Sequence, residues 1–575
     1  MEYSPKDGFS SPYDGKPWLA SYDTWVEETT DIPEISFMEM LEEGLRIAPR
    51  RPAMIFFDRK ITFAELDTLS AKFAAFLAAS GCGPGTVVGI NLPNIPQYLV
   101  AFAGAIRAGC AVSGVSFLLT AKELAYQLKD SEARVLVTLD TVFDEKVAPI
   151  AKEVPALDHI VVAGAGEFIP PVKRILGRLL KKIPTGKVYP LAGKQVLPFG
   201  QVLKNYPARV PEVTCTPYDT CLVQYTGGTT GRPKGALLTH GNIVANAILS
   251  RQWINVKPGD PEIGCSAFPF FHLAGMMLGM MGLCSGMTQC LIPDPRDTKL
   301  ICRIIEKYRP TIMANVPTLY QMLMDAPRFK SLDFSRLRLC LSGAAPFAGE
   351  SIRRLESMVG KGKVMEVYGM TETSPLLTMN PYGGEKKIGS VGIPIQWTRV
   401  KLVDLETGKR EVPVGTEGEL IANGPQVMAG YKGKPGETAH AIREFQGERW
   451  LYTGDVAKMD ADGYFTIVDR TKDMVNVGGY KVFSREVEET LYQFPGVAFC
   501  AVIGMPDPKR TGSELVKAVI QPTWDIRKGD VESRRLEIIE YCRKQMAPYK
   551  VPKFVEFTDA IPLTAVGKVD KKALR

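Results

Sequence analysis

The chain of 575 residues contains no Cys-x-x-Cys pair, and its 11 cysteines are scattered from Cys82 to Cys542 in an odd total. That spacing excludes a zinc ribbon and argues against a disulfide framework, so reduced thiols in a cytoplasmic setting are expected. The first residues, MEYSPKDGFSSPYDGKPWLASYD, lack the charged-then-apolar pattern of a secretory signal. Long charge-free runs are also scarce: only the stretch from Phe271 to Ile292 approaches the width of a bilayer. It carries His272, several glycines, Ser285, Thr288 and Gln289, with no basic cluster on either flank, and is expected to be a buried helix. The excess of positive charge is small, +7 from 70 basic and 63 acidic residues. This suits an enzyme of anionic substrates and gives no ground for a nucleic-acid partner. With 45% hydrophobic and 23% charged residues, wholesale disorder is excluded.

What is present is a long chain in several textures, too long for one compact core. Between Gly85 and Asp140, strand-like TVVGINL, AVSGVS and RVLVTL alternate with helix-like IPQYLVAFAGAIRAG and TAKELAYQLKDSEA. Thr120 and Glu123 form a capping box before the second of these helices. Such alternation predicts a mostly parallel sheet covered on both faces, and the segment from Asp297 to Leu341 continues the rhythm. After about Pro381 come short strands punctuated by Gly, Pro and Asp, which predict a β-rich subdomain. A boundary is expected in RTKDMVNVGG, from Arg470 to Gly479, followed by a small α+β unit. The predicted fold class is therefore α/β: a large N-terminal domain (1–469) of parallel α/β sheets with a β-rich subdomain, then a small mobile C-terminal domain (470–575).

The segment YTGGTTGRPKG, Tyr225 to Gly235, follows the apolar strand Cys221-Leu222-Val223. Glycines turn successive N–H groups toward one point, threonine hydroxyls add donors and Lys234 adds charge, the requirements of a phosphate loop. Pro233 before the lysine and Gly235 after it depart from the Gly-Lys-Ser/Thr of P-loop NTPases. A second feature is VKRILGRLLKKI, residues 172–183. It places Val172, Ile175, Leu176, Leu179, Leu180 and Ile183 on one helical face and Lys173, Arg174, Arg178, Lys181 and Lys182 around the other. Such a helix lies on an anionic membrane surface or packs as an ordinary surface helix, and both readings stand.

Five motifs in fixed order, YTGGTTGRPKGALLTHGN, YGMTE, YTGD, DRTKDMVNVGGYKV and GKVDKKAL, strongly resemble the adenylate-forming superfamily of acyl-CoA synthetases, peptide-synthetase adenylation domains and luciferases. The resemblance covers nearly the whole chain. DTCLVQYTGGTTGRPKGALLTHGNIVAN and GPQVMAGY, together with the basic insertion, look most like the long-chain fatty acid CoA ligase branch.

The resemblance implies a two-step reaction, in which a fatty acid carboxylate attacks the α-phosphate of ATP and CoA then displaces AMP. Thr226, Gly227, Gly228, Thr229, Thr230 and Lys234 would hold the β- and γ-phosphates. Glu372 and Thr226 would serve Mg2+, which takes oxygen ligands and tolerates water in most positions, while Thr371 would touch the α-phosphate. Tyr368, with Gly369 and Met370 in the same turn, would stack on adenine beside Gly343, Ala344, Ala345 and Pro346. Asp455 would accept the ribose hydroxyls, with Arg470 nearby. His272 would stand beside the substrate carboxylate, and Phe271 and Met276 would border the acyl chain. Lys568 would reach in from the small domain to bridge carboxylate and α-phosphate. Val566 replaces the small polar residue usual before Gly567. Lys472 would be the hinge on which the small domain turns to present Gly478 and Gly479 to CoA. A peripheral site at the inner face of a membrane and a homodimer both stay open. The same chemistry would also serve an aromatic acid or a carrier-protein acceptor. A phosphotransferase, yielding ADP, and a membrane-binding protein with an inactive site are the rival classes.

Overall fold

In the computed structural model, the described residues are 11–180, 182–226, 232–478, 480–510, 513–527, 530–564 and 569–575. The predicted alternation is present, with strands Val87–Asn91, Ala111–Gly114 and Ala133–Leu139 separated by helices Pro96–Arg107 and Ala121–Ser131. The Thr120 capping box forms: its backbone N–H donates to Glu123 Oε2 at 2.9 Å, and its hydroxyl accepts from the Glu123 N–H at 3.3 Å. Helix Pro96–Arg107 starts on a proline at its first turn, where a missing N–H costs nothing, and is buried along its whole length.

The two alternating segments build two sheets rather than one. Thr220–Tyr225, Ala111–Gly114, Val87–Asn91, Ala133–Leu139, His159–Ala163 and Gln195–Pro198 run parallel in an eight-stranded sheet, extended antiparallel by Gly235–Thr239 and Gly430–Tyr431. The second run, Ile263–Ser266, Thr288–Leu291, Ile312–Asn315, Leu339–Ser342 and Val364–Gly369, forms the parallel centre of a nine-stranded sheet. Pro52–Phe56 joins it beside Thr288–Leu291. The β-rich segment is an antiparallel five-stranded sheet in which Glu448–Met459 pairs with Gly418–Asn423, Ile442–Phe445 and Phe465–Arg470. After it, Val497–Pro506, Glu514–Pro522 and Phe554–Phe557 make a three-stranded sheet with its own core, including Val487, Leu491, Val502, Val516, Ile538 and Cys542.

Two expectations need correction. The charge-free stretch is not one helix: helix Leu273–Ser285 stops at Gly286, whose φ of 72° is a left-handed cap, and strand Thr288–Leu291 follows. Among the described residues no helix is long and apolar enough to cross a membrane. The basic insertion is helical only over Pro171–Leu179. Beyond it the N–H groups of Lys182 and Ile183 both donate to the Gly177 carbonyl, and half-buried Ile183 folds back on Gly177, leaving the apolar face. That face is otherwise uncovered: Val172, Ile175, Leu176, Leu179 and Leu180 are 54–78% exposed.

Helices Phe63–Ala79 and Pro96–Arg107 cross at Gly104, where an added Cβ would lie 2.8 Å from both Phe73 Cβ and the Ser70 carbonyl oxygen. Neither neighbour is a flexible side-chain end. Gly104→Ala is expected to destabilise the large domain by about 1–3 kcal/mol, read as a lower thermal unfolding midpoint.

Candidate functional site

A cavity of about 1840 Å³ opens where the large sheets meet the start of the small unit. Its wall combines Thr226 and Lys234, the turn Gly343 to Pro346, Tyr368 to Glu372, Asp455, and Arg470 with Lys472. Parallel strands deliver one side of this wall: Leu339–Ser342 ends into the Gly343 turn, and Val364–Gly369 carries Tyr368 at its end. An added Cβ at Gly343 would lie 2.8 Å from Val367 Cγ2, and Ala344 has φ of 66°, so the turn is held close to the neighbouring strand.

Asp455 is 3% exposed and faces two partners. The Tyr368 hydroxyl donates to its Oδ2 at 2.7 Å, and Arg470 Nε lies 3.0 Å from its Oδ1. Burial, followed by the Asp455 charge, pushes the Tyr368 hydroxyl well above its ordinary value, so it remains a donor. The same aspartate raises Arg470. Glu372 lies in the short helix Thr371–Thr373 and is 6% exposed. The Met370 N–H donates to the Pro375 carbonyl at 2.9 Å, and the Met428 N–H to the Glu372 carbonyl at 2.9 Å, fixing this turn from two sides. Thr226 donates its N–H to the Lys234 carbonyl at 2.9 Å, closing the base of the glycine loop.

His272 is partly buried and caps helix Leu273–Ser285, its Nδ1 accepting the Ala274 N–H at 3.3 Å. It lines the cavity together with Phe268, Phe271, Met277, Leu278 and Met281. Met276 is not among the lining residues; it is 3% exposed within the large core, because the helix turns its neighbour Met277 to the wall. Lys472 is exposed in the turn after strand Phe465–Arg470, and Gly478 has φ of 60° and donates its N–H to Ser513 Oγ at 2.9 Å. Gly227, Gly228, Thr229, Thr230, Gly479 and Lys568 lie outside the described residues. Thr564 and Val569, on either side of the Lys568 segment, line the same cavity. Lys571 is not a free basic tail: its Nζ lies 2.7 Å from Glu488 Oε1 and donates to Ser484 Oγ at 2.6 Å.

Sequence reasoning missed three cavity residues. Tyr431 donates its hydroxyl to Glu372 Oε1 at 2.7 Å, and Glu437 pairs with Lys234 at 2.9 Å. Tyr431 closes GPQVMAGY, read only as a branch signature, and Glu437 lies six residues beyond it, outside every motif singled out in the sequence. The third, Glu366, gave no sequence signal because an acid inside a strand reads as a surface position. It is 7% exposed and accepts the Gly389 N–H at 2.9 Å.

A large unit of parallel sheets and a small α+β unit meet at one cavity that gathers Thr226, Lys234, Tyr368, Glu372, Asp455 and Arg470, the arrangement expected of an adenylate-forming enzyme. The family model for the AMP-binding enzyme matches residues 41–432, and that for the AMP-binding enzyme C-terminal domain matches residues 486–568; the chain belongs to this family. It is 35% identical over 577 residues to a long-chain-fatty-acid–CoA ligase of Bacillus subtilis (strain 168), covering 97% of both chains. It is also 35% identical over 534 residues to a feruloyl-CoA synthase of Amycolatopsis sp, covering 92% of this chain and 96% of the other. Among solved structures, the anthranilate CoA ligase AuaEII in complex with anthranoyl-AMP superposes with a TM-score of 0.81 at 28% identity, covering 95% and 97% of the two chains. The protein is an adenylate-forming acyl-CoA ligase, with ATP, CoA and a carboxylic acid as its substrates.

Burial raises the Glu366 carboxyl from 4.5 to about 7. The folded protein therefore keeps this proton while the unfolded chain releases it, so its stabilising contribution is full below about pH 4.5 and is lost as pH rises through 7. Glu366→Gln is expected to gain stability relative to the parent between pH 5 and pH 8, a trend that melting curves across that range would register.

Proposed function

We propose that the acid is a medium- to long-chain fatty acid, activated as acyl-AMP and passed to CoA. The observation that carries this reading is the apolar wall of Phe268, Phe271, Met277, Leu278 and Met281 beside His272, a lining that accepts an alkyl chain without polar cost. In the first step a carboxylate oxygen bonds to the α-phosphorus and pyrophosphate leaves. Two anions must approach each other, so the site has to supply cations and oriented donors where charge gathers. Lys234 and the loop around Thr226 take the β- and γ-phosphates in this reading, Thr371 meets the α-phosphate, and Tyr368 stacks on adenine against the Gly343 turn. Asp455 and Arg470 serve the ribose and its phosphate. In the second step the CoA sulfur bonds to the acyl carbon, AMP leaves with the bonding pair, and the thiol proton passes to solvent.

Mg2+ fits the donor chemistry present. Glu372 offers a carboxylate at the cavity wall with one oxygen engaged by Tyr431, and among the described residues no group of three His, Cys, Asp or Glu side chains offers a fuller metal cage. One carboxylate with phosphate oxygens and water suffices for this ion, whose contribution when bound is to neutralise phosphate charge. Glu372, with Thr226, would hold it.

The chain divides in this reading into residues 1–469, which bind ATP and acid, and residues 470–575, which turn at Lys472. The first orientation brings Lys568 to the carboxylate and α-phosphate, and the second brings the glycine turn at Gly478 and Gly479 to the pantetheine arm. Purified protein with ATP, Mg2+ and a series of straight-chain acids is expected to release AMP and pyrophosphate and to form a CoA thioester, peaking at a medium or long chain. A peak with cinnamic or benzoic acids instead would replace the fatty acid reading by an aromatic one. AMP without thioester would name a carrier protein as acceptor.

The uncovered apolar face of Pro171–Leu179 supports peripheral contact with the inner face of an anionic membrane, where long-chain acids partition. Arg174 and Lys182 have no ion pair among the described residues, while Lys173 is tied at 2.5 Å to Asp58 and anchors the helix to the body. Ile175→Ser with Leu179→Ser is expected to weaken cosedimentation with phosphatidylglycerol vesicles by more than ~10-fold. Turnover of a short soluble acid should stay unchanged. Undiminished cosedimentation would remove this contact.

A further inference from the structure

The ATP reading asks two oppositely charged groups on one stretch of wall to stay apart. Glu372 is needed as a carboxylate and Lys234 as a free ammonium. In a partly desolvated wall such groups attract strongly, and a direct pair would consume both before any nucleotide arrived. Each instead meets a different part of one side chain, and Lys234 has a separate ionic partner. Tyr431, 7% exposed, donates its hydroxyl to Glu372 Oε1 at 2.7 Å. The Lys234 ammonium lies over the same ring, 4.5 Å from its centroid, a cation–π seat. Lys234 then finds its ionic partner outward, in Glu437 Oε2 at 2.9 Å, a side chain 54% exposed.

The ring is held by backbone rather than by chance. Tyr431 pairs with Ala236 across the sheet edge, its N–H donates to Thr438 Oγ1 at 2.9 Å, and the Lys432 N–H donates to the Gly235 carbonyl at 2.8 Å. The Met428 N–H meanwhile holds the Glu372 carbonyl at 2.9 Å. One segment therefore grips the backbone of Glu372 and of Gly235, the chain neighbour of Lys234, and places a single aromatic side chain against both charged groups. The hydrogen bond from Lys234 holds the Glu437 carboxyl below its usual range, so it stays an anion.

We propose that Tyr431 is a positioning residue that gives Lys234 and Glu372 separate partners and so keeps them from neutralising each other, with Glu437 as the exchangeable anion that Lys234 leaves when a triphosphate enters. An exposed pair is weakly held and screened, so a phosphate displaces it easily; a buried Lys234–Glu372 pair would resist displacement. The inference rests on the assignment of Lys234 and Glu372 to the ATP site. It adds what that assignment lacks, a reason why the site is not self-quenched.

Calorimetric titration of the full chain with ATP, first without and then with Mg2+, tests it. Tyr431→Leu is expected to weaken metal-free ATP binding by about 10-fold or more, and adding Glu372→Gln to that variant should restore it to within about 3-fold of the parent. Tyr431→Phe keeps the ring seat, so metal-free affinity should hold while the gain on adding Mg2+ shrinks. Glu437→Gln should tighten metal-free binding severalfold by removing the competitor. If Glu372→Gln fails to rescue Tyr431→Leu, the loss is one of packing and the proposal falls. If Tyr431→Leu does not fold, Glu437→Gln decides alone: weaker or unchanged ATP binding overturns the exchange. Lys234→Ala separates the underlying reading, since unchanged ATP binding in that variant would remove Lys234 from the phosphate site altogether.

Discussion

Asp455 is the point at which the molecule's parts are tied together. Its carboxylate is buried, and a buried charge persists only where its partners are in place. Those partners come from two sheets: Tyr368 ends a strand of the nine-stranded sheet, while Arg470 ends the strand that pairs with Asp455's own and leads into the small unit. The Asp455–Arg470 contact thus holds the end of strand Phe465–Arg470, after which the turn containing Lys472 begins. Removing either partner would leave a desolvated charge, so the Tyr368 side of the cavity and the end of strand Phe465–Arg470 are conditions of one another.

Around this tie the structure solves an electrostatic problem in layers. The reaction needs cations facing anions in a wall that also contains acids. Lys234 is kept on an exposed acid and an aromatic face, Glu372 on a phenol, and Asp455 on a phenol and a guanidinium. Lys234 and Glu372 are thus kept on partners other than each other, whereas both Asp455 oxygens are engaged. Lys571, by contrast, is paired with half-buried Glu488 and with buried Ser484.

Much of the fold was legible because it is local. The Thr120 capping box, the helix in IPQYLVAFAGAIRAG and the strand preceding the glycine loop depend on residues within a few positions of each other, and they form as read. The boundaries that failed were set by single residues acting through geometry. Gly286 ends the apolar helix by taking a left-handed φ, and the Gly177 carbonyl gathers the N–H groups that close the basic helix early. Periodicity alone gave neither stop. Nor did it reveal that the two βα runs belong to different sheets, since both carry the same alternation.

The candidate site divides the same way. Motif order set the chemistry, an adenylate-forming ligase, because the residue types needed to face a triphosphate and a nucleoside are few and occur in short runs. Tertiary structure alone decided which methionine of the helix faces the cavity, that His272 is also a helix cap, and that Tyr431 and Glu437 complete the surroundings of Glu372 and Lys234. The physical reason is separation. Lys234, Glu372 and Tyr431 are far apart in sequence and meet only where the sheet edge formed by Gly430–Tyr431 and Gly235–Thr239 brings their backbones together. Local pattern carries which groups a site requires, whereas the partners that keep those groups available are fixed only by long-range packing.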